Sequence, residues 1–134
     1  MRVNDFMTPQ PLVVAAREPL RQVTTLVFSH RIPQLPVVDE RNHLVGIITE
    51  RDLLAAGQRA HAEDLVAEDV MTPDPETLTP ASSIWEAVDI FSRKRYGAIP
   101  VVVGGRVVGL LTIHRLLRAL GERVRSSELL ALDR

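Results

Sequence analysis

The fold of this chain is decided by the stretch Gly46-Ile47-Ile48-Thr49-Glu50-Arg51-Asp52. A short apolar run leaves a glycine and ends at a hydroxyl, and a carboxylate follows three residues later. If a helix begins at Thr49, both polar side chains project from its first turn, beside backbone N–H groups that have no partner within the helix. Such a helix start is able to hold the phosphate and ribose of a nucleotide. The spacing also fits an ordinary helix-capping box, so both interpretations stay open here.

The same pattern occurs a second time, which is the strongest signal in the sequence. Residues 5–11 are matched by residues 69–75, and both copies contain Met-Thr-Pro. An apolar-Pro-Val-Val run at 35–38 is matched at 99–102, and a Gly-apolar-apolar-Thr run at 46–49 is matched at 109–112. Three matches in one order and register are not expected by chance. We predict a first repeat over 1–60, a linker over 61–68, a second repeat over 69–121, and a charged, amphipathic tail over 122–134.

Within each repeat, the apolar periodicity predicts the order β-α-β-β-α. Prolines indicate a turn or a short helical lead-in over 7–11. Short strands are predicted at 12–15 and 77–79, followed by helices whose apolar residues recur at helical spacing from 20 to 28 and from 84 to 91. A hairpin follows each helix, the second on Gly104-Gly105. The closing helices are predicted at about 50–56 and from about 113, and the tail is either one more helix or a frayed end.

Composition excludes several classes of protein. Sixteen basic and seventeen acidic residues give a net charge of −1, so neither a nucleic acid nor a membrane is an expected partner. The absence of cysteine excludes disulfides, thiolate metal sites and cysteine nucleophiles. No signal region and no run of about 20 apolar residues occurs, so we expect a cytoplasmic protein. The four histidines show no metal-binding spacing and no nucleophile motif is present, so we predict neither a metal site nor an enzyme.

The duplicated motifs resemble a CBS-domain pair, also called a Bateman module, over nearly the whole chain. The resemblance rests on the paired Met-Thr-Pro starts, the paired apolar-Pro-Val-Val strands and the paired Gly-apolar-apolar-Thr ends before a helix. It implies an α/β (α+β) fold in which tandem β-α-β-β-α CBS repeats pack about a pseudo-twofold axis. It also implies two clefts for adenine nucleotides between the repeats, and a homodimer shaped as a flat disk.

The resemblance also implies a set of ligand-binding residues. In proteins of this kind the aspartate of a Thr-x-x-Asp pattern binds ribose and the threonine lies near the phosphate, and Thr49 and Asp52 match both positions. The remaining nucleotide contacts implied by the resemblance come from one strand of the first repeat and two segments of the second. They are Ile47, Pro75, Glu76, Thr77, Gly97, Ala98 and Ile99.

The second repeat departs from this pattern. Thr112 keeps the threonine, but Arg115 stands where the first repeat has its aspartate. A guanidinium only donates hydrogen bonds, so it cannot accept them from ribose hydroxyls. This second, degenerate site, which would include Val13 and Gln34, is expected to be empty or to hold an anion through Arg115. The alternative is that Arg115 is a surface arginine near a helix start.

Two functions remain open from the sequence. The first is a non-catalytic sensor that binds an adenosine-containing regulatory ligand (AMP, ADP, ATP or S-adenosylmethionine) between the repeats and requires no cofactor. The second is a ligand-free structural module that dimerises or acts on a partner protein. With no further domain in the sequence, we expect a stand-alone module that acts through an unknown effector protein or its own dimer, unless it is a fragment of a longer chain.

Overall fold

The computed structural model describes residues 1–127 in full and the backbone of the last helix as far as residue 132. The described residues form five helices and seven short strands, with two 3₁₀ turns at Val3–Asp5 and Ala62–Asp64. In chain order the elements are β1 (Thr8–Pro9), β2 (Val14–Ala15), α1 (Leu20–His30), β3 (Gln34–Val38), β4 (Leu44–Thr49), α2 (Glu50–Gly57), α3 (Ala67–Val70), β5 (Thr72–Pro73), α4 (Ile84–Arg93), β6 (Ala98–Val103), β7 (Arg106–Thr112) and α5 (Ile113–Leu132).

Each repeat builds one hairpin and covers it with two helices. The hairpin β3–β4 belongs to a sheet with the order β2-β3-β4-β5, and the hairpin β6–β7 belongs to a sheet with the order β1-β7-β6. The apolar faces of α1 and α2 pack on the first sheet, and those of α4 and α5 pack on the second. The predicted α/β class is therefore confirmed, with one aliphatic core in each half of the molecule.

The two halves exchange the segments with which their repeats begin. We call residues 3–9 and 67–73 the lead-in segments. The first lead-in segment pairs with the second half, where Thr8 lies opposite Leu110 in β7. The second pairs with the first half, where Thr72 lies opposite Ile47 in β4. Val3 is fully buried in the core of the second half. Each half is therefore completed by the lead-in segment of the other repeat.

A methionine and a glycine fix each exchanged segment in place. A Cβ added to Gly46 would clash with the Met71 side chain and lie 2.9 Å from the Thr72 carbonyl oxygen. A Cβ added to Gly109 would clash with Met7 in the same way. Real Cβ atoms essentially never approach another heavy atom below 3.0 Å. In each half, the methionine of one repeat's Met-Thr-Pro motif therefore packs directly against the glycine of the other repeat's Gly-apolar-apolar-Thr motif.

Two local predictions were wrong, and a third was right only in part. The segment predicted as a turn or helical lead-in contains the strand β1, the strand predicted at 12–15 is reduced to β2, and residues 77–79 form no strand. Leu78 instead makes a single parallel bridge to Val101. Prolines 75 and 80 flank that bridge, and because proline has no N–H it limits how far a ladder extends.

The C-terminal tail continues the last helix. Helix α5 runs from Ile113 to Leu132, so the described part of the predicted 122–134 tail is neither a separate helix nor irregular. Residues 133–134, and the side chains from residue 128 onward, lie outside the described residues. In the part of the chain that the structure describes, no helix is both long enough and apolar enough to cross a bilayer.

Candidate functional site

A cleft of about 460 Å³ lies where α2 begins, between the two halves. It is built from both repeats and one lead-in segment. The first half supplies strand ends and the first turn of α2, the second half supplies the segment before β6, and the lead-in segment supplies Thr72. The lining residues are Pro33, Gln34, Ile47, Thr49, Glu50, Arg51, Asp52, Thr72, Arg95, Tyr96 and Gly97.

The pair Thr49 and Asp52 forms a complete capping box at the start of α2. The Asp52 N–H donates to Thr49 Oγ1 at 3.1 Å, and the Thr49 N–H donates to Asp52 Oδ2 at 3.0 Å. The Thr72 hydroxyl lies 3.4 Å from each carboxylate oxygen of Asp52. The capping interpretation is therefore satisfied. A carboxylate has about four acceptor positions, so Asp52 keeps capacity for further hydrogen bonds while its orientation towards the cleft is fixed.

Sequence reasoning did not assign seven of the eleven lining residues to this cleft, among them Thr72 and Tyr96. Thr72 reaches Asp52 only because its lead-in segment crosses to the first half. Tyr96 is the only tyrosine in the chain and its side chain is half-buried, with its hydroxyl accepting from the Glu76 N–H at 3.5 Å. A signal for Tyr96 does exist, since it directly precedes Gly97 and replaces Ile32 of the first repeat.

Two arginines, Arg51 and Arg95, line the cleft, one from each half. Both are exposed, and Glu50 lies beside them. Arg51 lies in the first turn of α2, where the helix dipole already favours an anion. The cleft therefore combines an acceptor group, Asp52, with donors that suit an anionic group nearby.

Gln34 is the one buried polar residue among the described side chains, with 2% of its surface exposed. We assign its amide from its hydrogen-bond partners: the nitrogen donates to the Ala98 carbonyl at 2.5 Å and the oxygen accepts from the Gly97 N–H at 3.0 Å. Gln34 thus joins the two halves at this cleft. Its assignment to the second, degenerate site is corrected, because strand pairing sets it opposite Thr49.

The other predicted contacts are distributed unevenly. Ile47 and Gly97 line the cleft, whereas Ala98 and Ile99 are fully buried in β6. The remaining three, Pro75, Glu76 and Thr77, are not among the lining residues. The Glu76 N–H donates to the Tyr96 hydroxyl, and the Glu76 carboxylate accepts from the Arg93 guanidinium at 3.2 and 3.4 Å. The ligand contacts assigned to these residues stay predictions.

The second site has a different geometry. Arg115 N–H donates to Thr112 Oγ1 at 3.1 Å, which repeats half of the capping box. The Arg115 guanidinium donates to the carbonyls of Phe6 and Met7, both at 3.1 Å. Arg115 therefore holds the first lead-in segment against the start of α5. A cavity of about 190 Å³ adjoins it, and Val13 does not line that cavity.

A cluster of possible metal ligands lies outside both sites. His61, Glu63 and Asp64 follow α2, with ligand atoms within 4.8 Å of one another. All three side chains are exposed, and acidic surface groups are common without a metal ion. The cluster gives no reason to assign a metal centre.

Comparison with known proteins identifies the fold. The family model for the CBS domain matches residues 3–59 and again residues 66–122. The structure of CBSX2 from Arabidopsis thaliana in complex with AMP superposes with a TM-score of 0.81 and 27% identity, over 90% of this chain and 96% of that one. The CBS domain pair of MJ0100, in complex with 5′-methylthioadenosine and S-adenosyl-L-methionine, gives a TM-score of 0.79 and 27% identity, over 92% of this chain and 98% of that one.

Sequence relatives include much longer proteins. The inosine-5′-monophosphate dehydrogenase of Nitrosopumilus maritimus is 35% identical over 112 residues, which are 83% of this chain but 22% of the dehydrogenase. This chain likewise spans 15–42% of the length of several other curated relatives. The similarity therefore concerns the paired domains alone. Two family matches that together cover most of the residues, and two structural matches over 90% and 92% of this chain, show that this chain belongs to the CBS domain family and contains two copies of that domain.

Proposed function

We propose that this chain is a non-catalytic regulatory module that binds an adenosine-containing ligand in the cleft at Thr49 and Asp52. The observation that carries the proposal is the half-buried Asp52 carboxylate, held in a fixed orientation at the wall of a cleft that both repeats build. A carboxylate in that position is able to accept hydrogen bonds from two adjacent hydroxyl groups, such as those of a ribose.

Two structural relatives support this ligand class. CBSX2 binds AMP, and the MJ0100 pair binds 5′-methylthioadenosine and S-adenosyl-L-methionine. These three ligands share an adenine and a ribose and differ at the 5′ position. The proposal therefore concerns the shared adenosine part first and the 5′ group second.

The remaining lining residues suit the other parts of such a ligand. Ile47 and Tyr96 provide apolar and aromatic surface for a flat base. Arg51 and Arg95 provide two guanidinium groups close to the first turn of α2. Because a guanidinium pairs with phosphate and repels a sulfonium or ammonium group, we infer that this cleft prefers a nucleotide to S-adenosylmethionine.

Regulation would follow from the position of the cleft. The ligand contacts side chains of both halves, so it favours the relative arrangement of the halves in which those contacts are made. The shift in that arrangement is limited to the difference between the ligand's affinities for the two states. A partner that senses the arrangement would be regulated by the ligand.

The test is thermal unfolding with AMP, ADP, ATP, S-adenosylmethionine and adenosine. At a ligand concentration one hundred times Kd, binding stabilises the folded chain by about 2.7 kcal/mol. We expect a nucleotide to raise the wild-type midpoint and Asp52→Ala to abolish that rise. Asp69→Ala is the matched control, because Asp69 accepts from the Val66 N–H at 2.9 Å at the start of α3 and so also caps a helix, away from the cleft.

A ligand-free structural module is the second candidate. It is favoured by the complete capping box, which gives Thr49 and Asp52 a role without any ligand, and by the use of Arg115 to hold a lead-in segment. If no compound in the panel raises the midpoint at millimolar concentration, this second function replaces the first.

A further inference from the structure

Hydrogen bonds join the β3–β4 hairpin of one half to the β6–β7 hairpin of the other at both ends. At the hairpin tips, the Leu44 N–H donates to the Gly105 carbonyl at 2.9 Å. At the other end, beside the cleft, the Gln34 amide donates to the Ala98 carbonyl and accepts from the Gly97 N–H. The tip contact uses backbone groups alone, whereas the contact at the cleft depends on one side chain. The identity of residue 34 therefore decides how the halves are joined at the cleft.

Gln34 also lies between the helix starts of the two candidate sites. Its backbone pairs with Thr49 in β4, and Thr49 caps α2 together with Asp52. Its amide partner Ala98 pairs with Thr112 in β7, directly before α5. Through two strand pairs, the Gln34 amide thus connects the start of α2 in one half to the start of α5 in the other.

The two repeats differ at this contact. Gln34 and Ala98 occupy equivalent positions of the repeats, and so do Pro33 and Gly97. A Cβ added to Gly97 would lie 3.4 Å from the Pro33 Cβ, so the two segments approach closely here. Alanine has no polar side-chain group, so the second repeat supplies no matching amide. The side-chain connection between the halves at the cleft is therefore made from the first repeat.

The groups that Gln34 bonds belong to the start of an edge strand. β6 lies at the edge of the sheet with the order β1-β7-β6. Farther along that edge, the Leu78 N–H donates to the Pro100 carbonyl at 3.0 Å, and the Leu78 carbonyl accepts from the Val102 N–H at 2.8 Å. Ala98 is fully buried, and a buried carbonyl without a partner is costly. Loss of the Gln34 amide therefore favours a movement of the halves that brings water to this edge.

We propose that Gln34 is a positioning residue, whose amide fixes the second half relative to the first at the cleft. Gln34 is 2% exposed, and its hydrogen bonds persist only while their atoms stay within about 3.5 Å of one another. Asp52 comes from the first half and Tyr96 from the second, so the arrangement that Gln34 sets also sets the distance between them. The effect on ligand binding rests on the proposed adenosine-binding function, whereas the arrangement of the halves does not.

Gln34→Glu tests the amide through pH, because the introduced carboxyl group has nearly the same shape. When protonated it donates and accepts as the amide does, and when ionised it only accepts, so the Ala98 carbonyl loses its donor. Burial raises the pKa of a carboxyl group. We expect the AMP dissociation constant, divided by that of the wild type at the same pH, to be at least tenfold higher at about pH 8 and to approach one at about pH 5. The other ionisable groups of the cleft are common to both proteins and cancel in this ratio; they are Glu50, Arg51, Asp52 and Arg95.

Gln34→Leu removes the amide at every pH and should weaken AMP binding at least tenfold throughout. Val37→Ala is the matched control, because Val37 is fully buried in the same strand and packs in the core of the first half. It should lower stability by leaving a cavity and, at a temperature where the chain is folded, keep the AMP dissociation constant within about twofold of the wild type. A residue with a merely structural role would behave like Val37 in this comparison.

Distances between spin labels test the arrangement without any ligand, because the chain contains no cysteine. Gln58→Cys, directly after α2, and Ser92→Cys, on α4, place one exposed label on each half. Gln58→Cys with Thr25→Cys, on α1, places both labels on the first half as the control pair. With the labelled chain diluted in unlabelled chain, we expect Gln34→Leu to at least double the width of the distance distribution between the halves and to leave that within the first half unchanged.

The outcomes separate this inference from the proposed function. A distance distribution between the halves that is the same in Gln34→Leu and the wild type would overturn the role of Gln34. AMP binding that neither substitution of Gln34 changes would overturn it as well. A wild type that binds no AMP would contradict the proposed function instead, and the distances measured without ligand then decide the role of Gln34.

Discussion

Replacing Gly46 with alanine should separate a lead-in segment from the half that it completes. The added Cβ would lie 2.8 Å from Met71 Cγ and 2.9 Å from the Thr72 carbonyl oxygen. The methionine side chain is able to turn aside, but the carbonyl belongs to the backbone of β5. That strand is held by two residue pairs, Gly46 with Pro73 and Ile47 with Thr72, so it has little to resist displacement.

The expected cost follows from these distances. Forcing an extra methyl group into a packed site typically costs about 1–3 kcal/mol. Gly→Ala also restricts the unfolded chain, which stabilises the folded state by about 0.4–1 kcal/mol where the backbone conformation suits alanine. We therefore expect a net loss of about 1–2 kcal/mol, which lowers the midpoint of a chain of this size by about 3–8 °C.

Urea and thermal unfolding measure this change, and Gly57→Ala serves as the control. Gly57 lies in α2 with no heavy atom within 4 Å of an added Cβ, so alanine there should stabilise the chain by about 0.5–1 kcal/mol. The two Gly→Ala variants should thus change stability in opposite directions. A Gly46→Ala variant that is as stable as the wild type would refute the close seating of Met71 and Thr72.

Three further predictions follow from single groups. Arg115→Ala removes both side-chain hydrogen bonds to the first lead-in segment. Hydrogen exchange of the amides in residues 3–9 should therefore become faster, and the free energy of unfolding should fall by about 1 kcal/mol. Unchanged exchange would contradict the role of Arg115 in holding this segment. Ser83→Ala removes the N-cap of α4 and should cost about 1 kcal/mol by thermal unfolding, whereas Ser83→Asp should keep most of that stability. Backbone N–H groups, chiefly that of His43, donate to the Asp39 carboxylate and lower its pKa. The stability that this turn contributes is therefore complete above the unfolded-chain pKa of about 3.9 and is lost as the pH falls through the lowered pKa of the folded chain. An NMR titration of the Asp39 carboxyl carbon that gives an ordinary pKa would contradict this.

Much of the fold could be predicted because its signals are local and occur twice. Helical spacing on α1 and α4, and the Gly104-Gly105 turn, depend on neighbours within a few residues. The duplicated motifs also set Asp52 and Arg115 at equivalent positions, so the amino-acid sequence alone predicts that the two sites differ. The predicted family is confirmed by the two domain matches.

The exchange of lead-in segments could not be predicted, since it depends on pairing between distant residues. Thr8 pairs with Leu110, which lies far from it in the sequence, and no local pattern specifies that partner. Thr72 becomes a cleft residue only through the same exchange, and Gln34 joins the cleft only through packing against the other half. The sequence indicated the correct helix start at Thr49 and two residues of the cleft walls, Ile47 and Gly97, but not most of the other lining residues.

The central claim is that Asp52 binds the ribose of an adenosine-containing ligand. Isothermal titration of AMP into the wild type, Asp52→Ala and Asp69→Ala tests it most directly. Hydrogen bonds to a charged group contribute about 1.5–3 kcal/mol, so losing the Asp52 carboxylate should weaken AMP binding at least tenfold. We predict one AMP per chain in the wild type and in Asp69→Ala, and the weakened binding in Asp52→Ala alone. Equal AMP affinity in all three proteins, or no AMP binding by the wild type, would contradict the account.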